Sequence, residues 1–171
     1  MWTRRRAIGG HPAPGRIPAG SGAIRASRLM SFVLDSSVAL AWLLPDEGSD
    51  RVDALADRLE HKSAEVPAIW SLEVANALMS ALRRSRAESV DVGASLEALA
   101  TLPIYAEQAI GAPQLAEIVA LAQRHGLTAY DACYVELAHR RRLPLATLDA
   151  KLRNACSALG IPVLPRDGGT D

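Results

Sequence analysis

The sequence predicts an α/β fold, three layers α/β/α, around a short-stranded and mostly parallel central sheet. Three observations carry that expectation. From Ser31 onward, strand-like runs of two to four residues alternate with helix-like patterns, as in a parallel sheet covered on both faces. The chain has 171 residues, enough for one ordinary domain and too few for two. Its composition is 49% hydrophobic, which excludes a wholly disordered polymer. The longest apolar run, Val38 to Leu44, falls far short of the roughly 20 residues a membrane span needs.

The elements follow in order. Phe32-Val33-Leu34 reads as a buried strand ending at Asp35, and Ser37 to Leu44 as an apolar helix stopped by Pro45. Ser49 to Lys62 is amphipathic, with Val52, Leu55, Ala56 and Leu59 on one face. Glu65-Val66 is a brief strand before Pro67. Ala68 to Arg86 is a long helix with an apolar stripe at Leu72, Ala75, Leu78, Met79 and Leu82. Ser89 to Thr101 is a further helix, followed by a strand at Ile104-Tyr105. Pro113 to His125 is a helix closed by Gly126, and Thr128 to Arg142 is another. Leu145-Ala146-Thr147 is a strand, Ala150 to Leu159 a helix ended by Gly160, and Val163-Leu164 the last strand. In such a sheet the site lies outside the carboxyl ends of the strands.

Zero net charge hides a split. Residues 1–29 hold six arginines and no acid, leaving 13 basic and 19 acidic residues beyond them, a net of −6. Residues 1–30 are rich in Gly, Pro and Arg and show no hydrophobic period, so a disordered tail is expected, with Met30 the expected true start. Thr3-Arg4-Arg5 lacks the apolar segment an export signal needs; Gly9, Gly10, His11 and Pro12 follow instead. A single domain over 31–166 and a short C-terminal tail, 167–171, complete the organisation. Cys133 and Cys156 sit inside apolar helical patterns, which suits buried thiols in a reducing cytoplasm better than a disulfide.

Most acids lie on polar helix faces, such as Asp50, Asp53, Asp57 and Glu60. Four do not. Asp35 ends the first strand, where it is either a helix N-cap or a functional carboxylate; Ser36 and Ser37 make it partly redundant as a cap. Glu73 lies inside a largely apolar helix, and its neighbours three and four residues away are Ile69, Trp70, Asn76 and Ala77, none a cation. A carboxylate there is costly unless paired, metal-bound or reaching water. Asp131 stands three residues after Thr128, the spacing of a capping box. Asp149 follows a strand and opens a helix, again a cap position, with the Thr147 hydroxyl two residues away.

Each acid has a structural explanation alone. Together, two follow strand ends and two lie on helices entering the same sheet edge. Four converging carboxylates repel unless a cation joins them. Oxygen-only ligands suit Mg²⁺ or Mn²⁺. His11, His61, His125 and His139 show no ligand spacing and no CxxC pair exists, which disfavours zinc. Neither a Gly-x-Ser-x-Gly elbow nor a Walker loop is present.

Four stretches carry a resemblance: Phe32-Val33-Leu34-Asp35-Ser36-Ser37-Val38-Ala39-Leu40-Ala41-Trp42, Pro67-Ala68-Ile69-Trp70-Ser71-Leu72-Glu73-Val74-Ala75-Asn76-Ala77-Leu78, Leu127-Thr128-Ala129-Tyr130-Asp131-Ala132-Cys133-Tyr134 and Leu145-Ala146-Thr147-Leu148-Asp149. In this order they resemble the PIN-domain family, and within it the VapC-like ribonuclease toxins of bacterial type II toxin–antitoxin systems. The similarity spans Ser31 to about Pro165; the segment before Met30 departs from the pattern. The resemblance implies a PIN-like fold and Mg²⁺-dependent endonucleolytic cleavage of RNA, with Mn²⁺ able to substitute. It implies a catalytic and metal-binding cluster of Asp35, Glu73, Asp131 and Asp149, supported by Ser37 and Thr147. It also implies a homodimer and a small cognate antitoxin, in the cytoplasm and without a membrane.

Phosphate contacts are expected from Arg83, Arg84 and Arg86, from Arg140, Arg141 and Arg142, and from Lys151 and Arg153; the alternative is cations complementing helix C-termini. Trp42 and Trp70 read more readily as core than as base-stacking platforms. Two rivals stand beside the nuclease: a non-catalytic PIN scaffold that binds protein or RNA, and an aspartyl-phosphate phosphotransferase of the haloacid dehalogenase type. The latter usually carries a second Asp where this chain has Ser37.

Overall fold

The computed structural model describes residues 30–44, 48–83, 91–108 and 110–166. Five strands form one sheet: β1 (Met30–Leu34), β2 (Ser63–Val66), β3 (Ile104–Ala106), β4 (Leu145–Ala146) and β5 (Val163–Leu164). Their order is β3-β2-β1-β4-β5 and every neighbouring pair is parallel. The described sheet is thus wholly parallel, and the expected fold class holds. The chain builds outward from β1 in one direction, through β2 to β3, and then returns to add β4 and β5 on the other side. The boundary between β1 and β4 is a topological switch point, where the loops after two adjacent strands diverge and leave a crevice.

Seven described helices make the crossovers: α1 (Ser36–Leu43), α2 (Asp50–Arg58), α3 (Trp70–Arg83), α4 (Val92–Ala100), α5 (Ala112–His125), α6 (Ala129–Arg141) and α7 (Ala150–Ala158). Helix α1 is buried on nearly every side, through Val38, Ala39, Ala41, Trp42 and Leu43, which explains its apolar sequence. It packs on α2 and α3. Leu44 leaves it with extended dihedrals, φ −102° and ψ 124°, as sterics demand of a residue before proline. Ser49 caps α2 by accepting from the Val52 N–H, and the expected face of Val52, Leu55, Ala56 and Leu59 is buried. Gly126 (φ 64°) and Gly160 (φ 68°) close α5 and α7 in the left-handed conformation that a side chain resists. Helix α6 lies against β1 and carries Tyr134, Val135 and Leu137 into the core. Trp42 and Trp70 are core residues, and Trp42 Nε1 donates to the Val52 carbonyl at 2.9 Å. Both cysteines are free and buried.

One expectation fails. The buried face of α3 is Trp70, Val74, Leu78 and Ala81. Of the expected stripe only Leu78 is inside; Leu72 is 74% exposed, Met79 49%, and Leu82 and Ala75 also face outward. Helix α3 carries two apolar stripes, and periodicity alone cannot choose between them. Packing against α1 chooses the one that contains Trp70.

The expected tail before Met30, the closing segment 167–171, Pro45, Arg84 and Arg86 lie outside the described residues.

Candidate active site

Asp35 follows β1, and its N–H donates to the Ala146 carbonyl of β4 at 2.9 Å, which sets it at the switch point. It occupies the N-cap position of α1, yet its side chain makes no cap hydrogen bond. Instead its carboxylate accepts from hydroxyls: Ser37 Oγ at 2.5 Å and Thr147 Oγ1 at 2.7 Å, both to Oδ2. The Ser36 hydroxyl stands 3.4 Å from Oδ1. Only 4% of Asp35 is exposed. Burial pushes its carboxyl above the ordinary Asp range against the pull of hydrogen bonds from the Ser37 and Thr147 hydroxyls and the Ser36 backbone, and the Asp149 charge adds to the rise. Among the described residues no cation pairs with it.

Thr147 is fully buried and joins two acids. Its hydroxyl donates to Asp35 and accepts the Asp149 N–H at 3.0 Å. Ser37 does similar work: its Oγ accepts the Leu148 N–H at 3.0 Å while donating to Asp35. The Ser37 and Thr147 hydroxyls thus clasp Asp35 from both sides of the crevice, and Thr147 gives its proton to Asp35 rather than to the nearby Asp149 carboxylate.

Asp149 is exposed and caps α7, its Oδ1 accepting from the N–H groups of Lys151 (2.7 Å) and Leu152 (3.0 Å). Asp131 forms the reciprocal capping box: Thr128 Oγ1 accepts the Asp131 N–H at 3.1 Å, and Asp131 Oδ2 takes the Thr128 hydroxyl at 2.8 Å and its N–H at 3.4 Å. The structural readings of these two acids are real. Glu73 is half-buried on α3 and accepts from the Tyr134 hydroxyl. Its carboxyl is raised by burial, lowered by the Tyr134 bond, and raised further by the Asp35 and Asp131 charges. The acids thus feel one another in a chain, Asp149 on Asp35, Asp35 and Asp131 on Glu73. Among the described residues, no three His, Cys, Asp or Glu side chains stand as a ready-made metal cage. The chemistry of the donor set nonetheless suits a hard cation: oxygen donors only, one of them a buried carboxylate with no positive partner among the described residues.

Tyr134 escaped the sequence reading. It is 1% exposed and its hydroxyl bridges α6 to Glu73 on α3; an aromatic in a buried helix reads as core, and its polar tip gives no periodic signal. Burial and the adjacent Glu73 push its hydroxyl further up, so it is a neutral donor. Burial likewise pushes the Cys133 thiol up to about 11, with Glu73 adding to the rise, which leaves that sulfur protonated and unreactive.

The expected phosphate contacts divide. Arg140 is committed to Glu136 (Nε to Oε1, 2.6 Å) and Glu107 (2.7 Å), and Arg141 to Glu65 at 2.7 Å. They lie about nine residues along α6 from Asp131, roughly 14 Å at 1.5 Å per residue. Their partners Glu65 and Glu136 are buried acids that the sequence reading missed; the four-residue spacing of Glu136 and Arg140 was the available signal. Arg142 is the C-cap of α6. Arg153 binds backbone carbonyls of Thr147 and Pro165. Arg83 and Lys151 are exposed.

Comparison with known proteins gives the family and the fold. A PIN domain family model matches residues 32–157. Ribonuclease VapC3 of Pyrobaculum aerophilum is 33% identical over 134 residues, which span 78% of this chain and all of that protein. Ribonuclease VapC9 of Mycobacterium tuberculosis is 34% identical over 137 residues, 79% of this chain and 99% of that one. A crystal structure of a Pyrobaculum aerophilum protein shares the fold with a TM-score of 0.58 at 22% identity, covering 75% of this chain and 87% of that chain.

Proposed function

This chain belongs to the PIN domain family, and on that premise we propose that it is a Mg²⁺-dependent endoribonuclease, the toxin of a type II toxin–antitoxin pair. The observation that carries the reading is Asp35: a buried carboxylate at an N-cap position without a side-chain cap hydrogen bond, clasped by two hydroxyls and paired with no cation among the described residues. The relatives' ribonuclease names supply the substrate class.

Asp35, Glu73, Asp131 and Asp149 are the residues that would hold the metal. Mg²⁺, or Mn²⁺ in its place, lowers the pKa of water and neutralises charge on a phosphodiester. Ser37 and Thr147 fill Oδ2 of Asp35 and leave Oδ1 with lone pairs to spare. Tyr134 keeps Glu73 turned inward. Attack of water on phosphorus leaves 5′-phosphate and 3′-hydroxyl ends. Exposed Arg83 and Lys151 are the better phosphate contacts, since Arg140 and Arg141 are engaged by carboxylates. The outward stripe of Leu72, Ala75, Met79 and Leu82 on α3 is apolar surface of the kind a second copy or a small antitoxin covers. Among the described residues no helix is long and apolar enough to cross a membrane.

A second reading, the non-catalytic scaffold, is favoured by one observation: Asp131 and Asp149 have sufficient employment as helix caps. One experiment separates the two. Labelled RNA is incubated with Mg²⁺ and the native protein, Asp35→Asn, or Glu73→Gln. The nuclease reading expects cleavage by the native protein, its abolition by EDTA, and a loss of about 100-fold or more in both variants while they stay folded. Native-like cleavage by Asp35→Asn overturns it, and RNA binding without cleavage by the native protein selects the scaffold.

A further inference from the structure

The Thr147–Leu148 peptide is gripped from both sides. Its N–H donates to Ser37 Oγ at 3.0 Å, and that hydroxyl in turn donates to Asp35. Its carbonyl, on the residue that follows β4, accepts from Arg153 Nη1 at 3.2 Å. The same guanidinium reaches the Pro165 carbonyl with Nη1 and Nη2, each at 3.2 Å. Arg153 stands in the first turns of α7, four residues after the Asp149 cap, so its planar fork ties α7, the loop after β4 and the chain after β5 together. A peptide unit is rigid. Fixing its carbonyl also fixes the N–H that holds Ser37 and the Cα that carries the Thr147 hydroxyl. Both hydroxyls that clasp Asp35 depend on this one plane, and so does the Asp149 N–H bonded to Thr147.

We propose that Arg153 is a positioning residue for the acid cluster, setting the Thr147–Leu148 peptide and through it the orientation of Asp35 and Asp149, and is not a phosphate contact. The proposal rests on the metal-dependent nuclease reading and adds a residue to it. A guanidinium suits the task because two carbonyls must be engaged at once by one rigid fork, which an ammonium cannot do as well.

The test uses the full chain as Arg153→Met and Arg153→Lys beside the native protein. Mg²⁺ or Mn²⁺ alone is titrated by calorimetry, and RNA cleavage is resolved into kcat and KM over a range of Mg²⁺ and of salt. A positioning role predicts metal affinity weakened about tenfold or more in Arg153→Met, the size seen when groups supporting metal ligands are removed. It predicts kcat reduced at low Mg²⁺ and recovering at high Mg²⁺, an unchanged KM for RNA, and partial rescue by Arg153→Lys. Unchanged metal affinity together with a raised KM and a salt slope smaller by about one marks a phosphate contact and overturns the proposal. If Arg153→Met does not fold, the comparison between Arg153→Lys and native protein carries the same readouts. Native protein that neither binds metal nor cuts RNA overturns the nuclease reading itself, which is a distinguishable result.

Discussion

Asp35 illustrates how one residue's burial becomes a measurable property. Its carboxyl is raised by desolvation, so the folded state favours the protonated form. Below the ordinary Asp range both folded and unfolded chains are protonated, and the group costs the fold nothing. As pH rises from there through the raised folded value, the unfolded chain ionises more readily and stability falls. Glu73 acts in the same direction. The metal-free protein is therefore expected to gain stability on acidification through this window as far as these two groups are concerned. Asp35→Asn should raise the melting temperature of the metal-free protein at neutral pH, by roughly 2–4 °C for each kcal/mol relieved, and the difference should vanish below the Asp range. Thermal melts of both proteins across pH in a chelator check this; a variant less stable than native at neutral pH sinks it.

At the scale of elements, α3 offers the sharpest contrast, because its two apolar stripes have opposite fates. Leu78→Ala removes a side chain from the buried face and should cost about 2–5 kcal/mol. Leu72→Ser and Met79→Ser on the outward face should each stay within about 0.5 kcal/mol in the isolated chain. Their effect should appear instead in self-association and antitoxin capture, measured by sedimentation and by co-purification with the protein expressed beside it. Equal destabilisation by substitutions on the two faces would contradict the packing. Helix α6 supplies a second case. Its far end rests on ion pairs, with Glu65 only 5% exposed against Arg141. Burial raises the Glu65 carboxyl and the Arg141 charge pulls it back. Arg141→Met strands that carboxylate and should cost roughly 2–3 kcal/mol, less than a fully buried pair because Arg141 itself is about half exposed; adding Glu65→Leu should recover most of it. Denaturant unfolding of the two variants measures both steps.

For the whole molecule, the metal reading makes a thermodynamic claim. A cation that binds only the folded state stabilises it by about 2.7 kcal/mol at one hundred times its dissociation constant. For a domain of this size that corresponds to roughly 5–10 °C in melting temperature. Mg²⁺ should produce such a rise in the native protein and little in Asp35→Asn. A native melt indifferent to millimolar Mg²⁺ counts against the cluster as a metal site.

What the sequence determined by itself was local and periodic. Each of the five strands and seven helices of the described residues overlaps an expected one, because apolar runs, the Thr128–Asp131 spacing, Pro at the start of α5 and Gly126 and Gly160 act within a few residues of themselves. The four acids were legible for the same reason: each breaks a local pattern, at a strand end or in an apolar helix. Only the tertiary structure decided which of them is a cap and which is not. Asp35 and Asp149 carry the same signature in the chain, each between a strand and a helix, yet Asp149 accepts from the Lys151 and Leu152 amides while Asp35 makes no side-chain cap bond and turns to Thr147, 112 residues away. It decided which stripe of α3 is core, and it committed Arg140, Arg141 and Arg153 to carboxylates and carbonyls. Those outcomes depend on what lies opposite a side chain in space. A sequence records hydrophobic period and turn chemistry, whereas the partner of a polar group comes from a strand or helix distant in the chain and is set only when the sheet assembles.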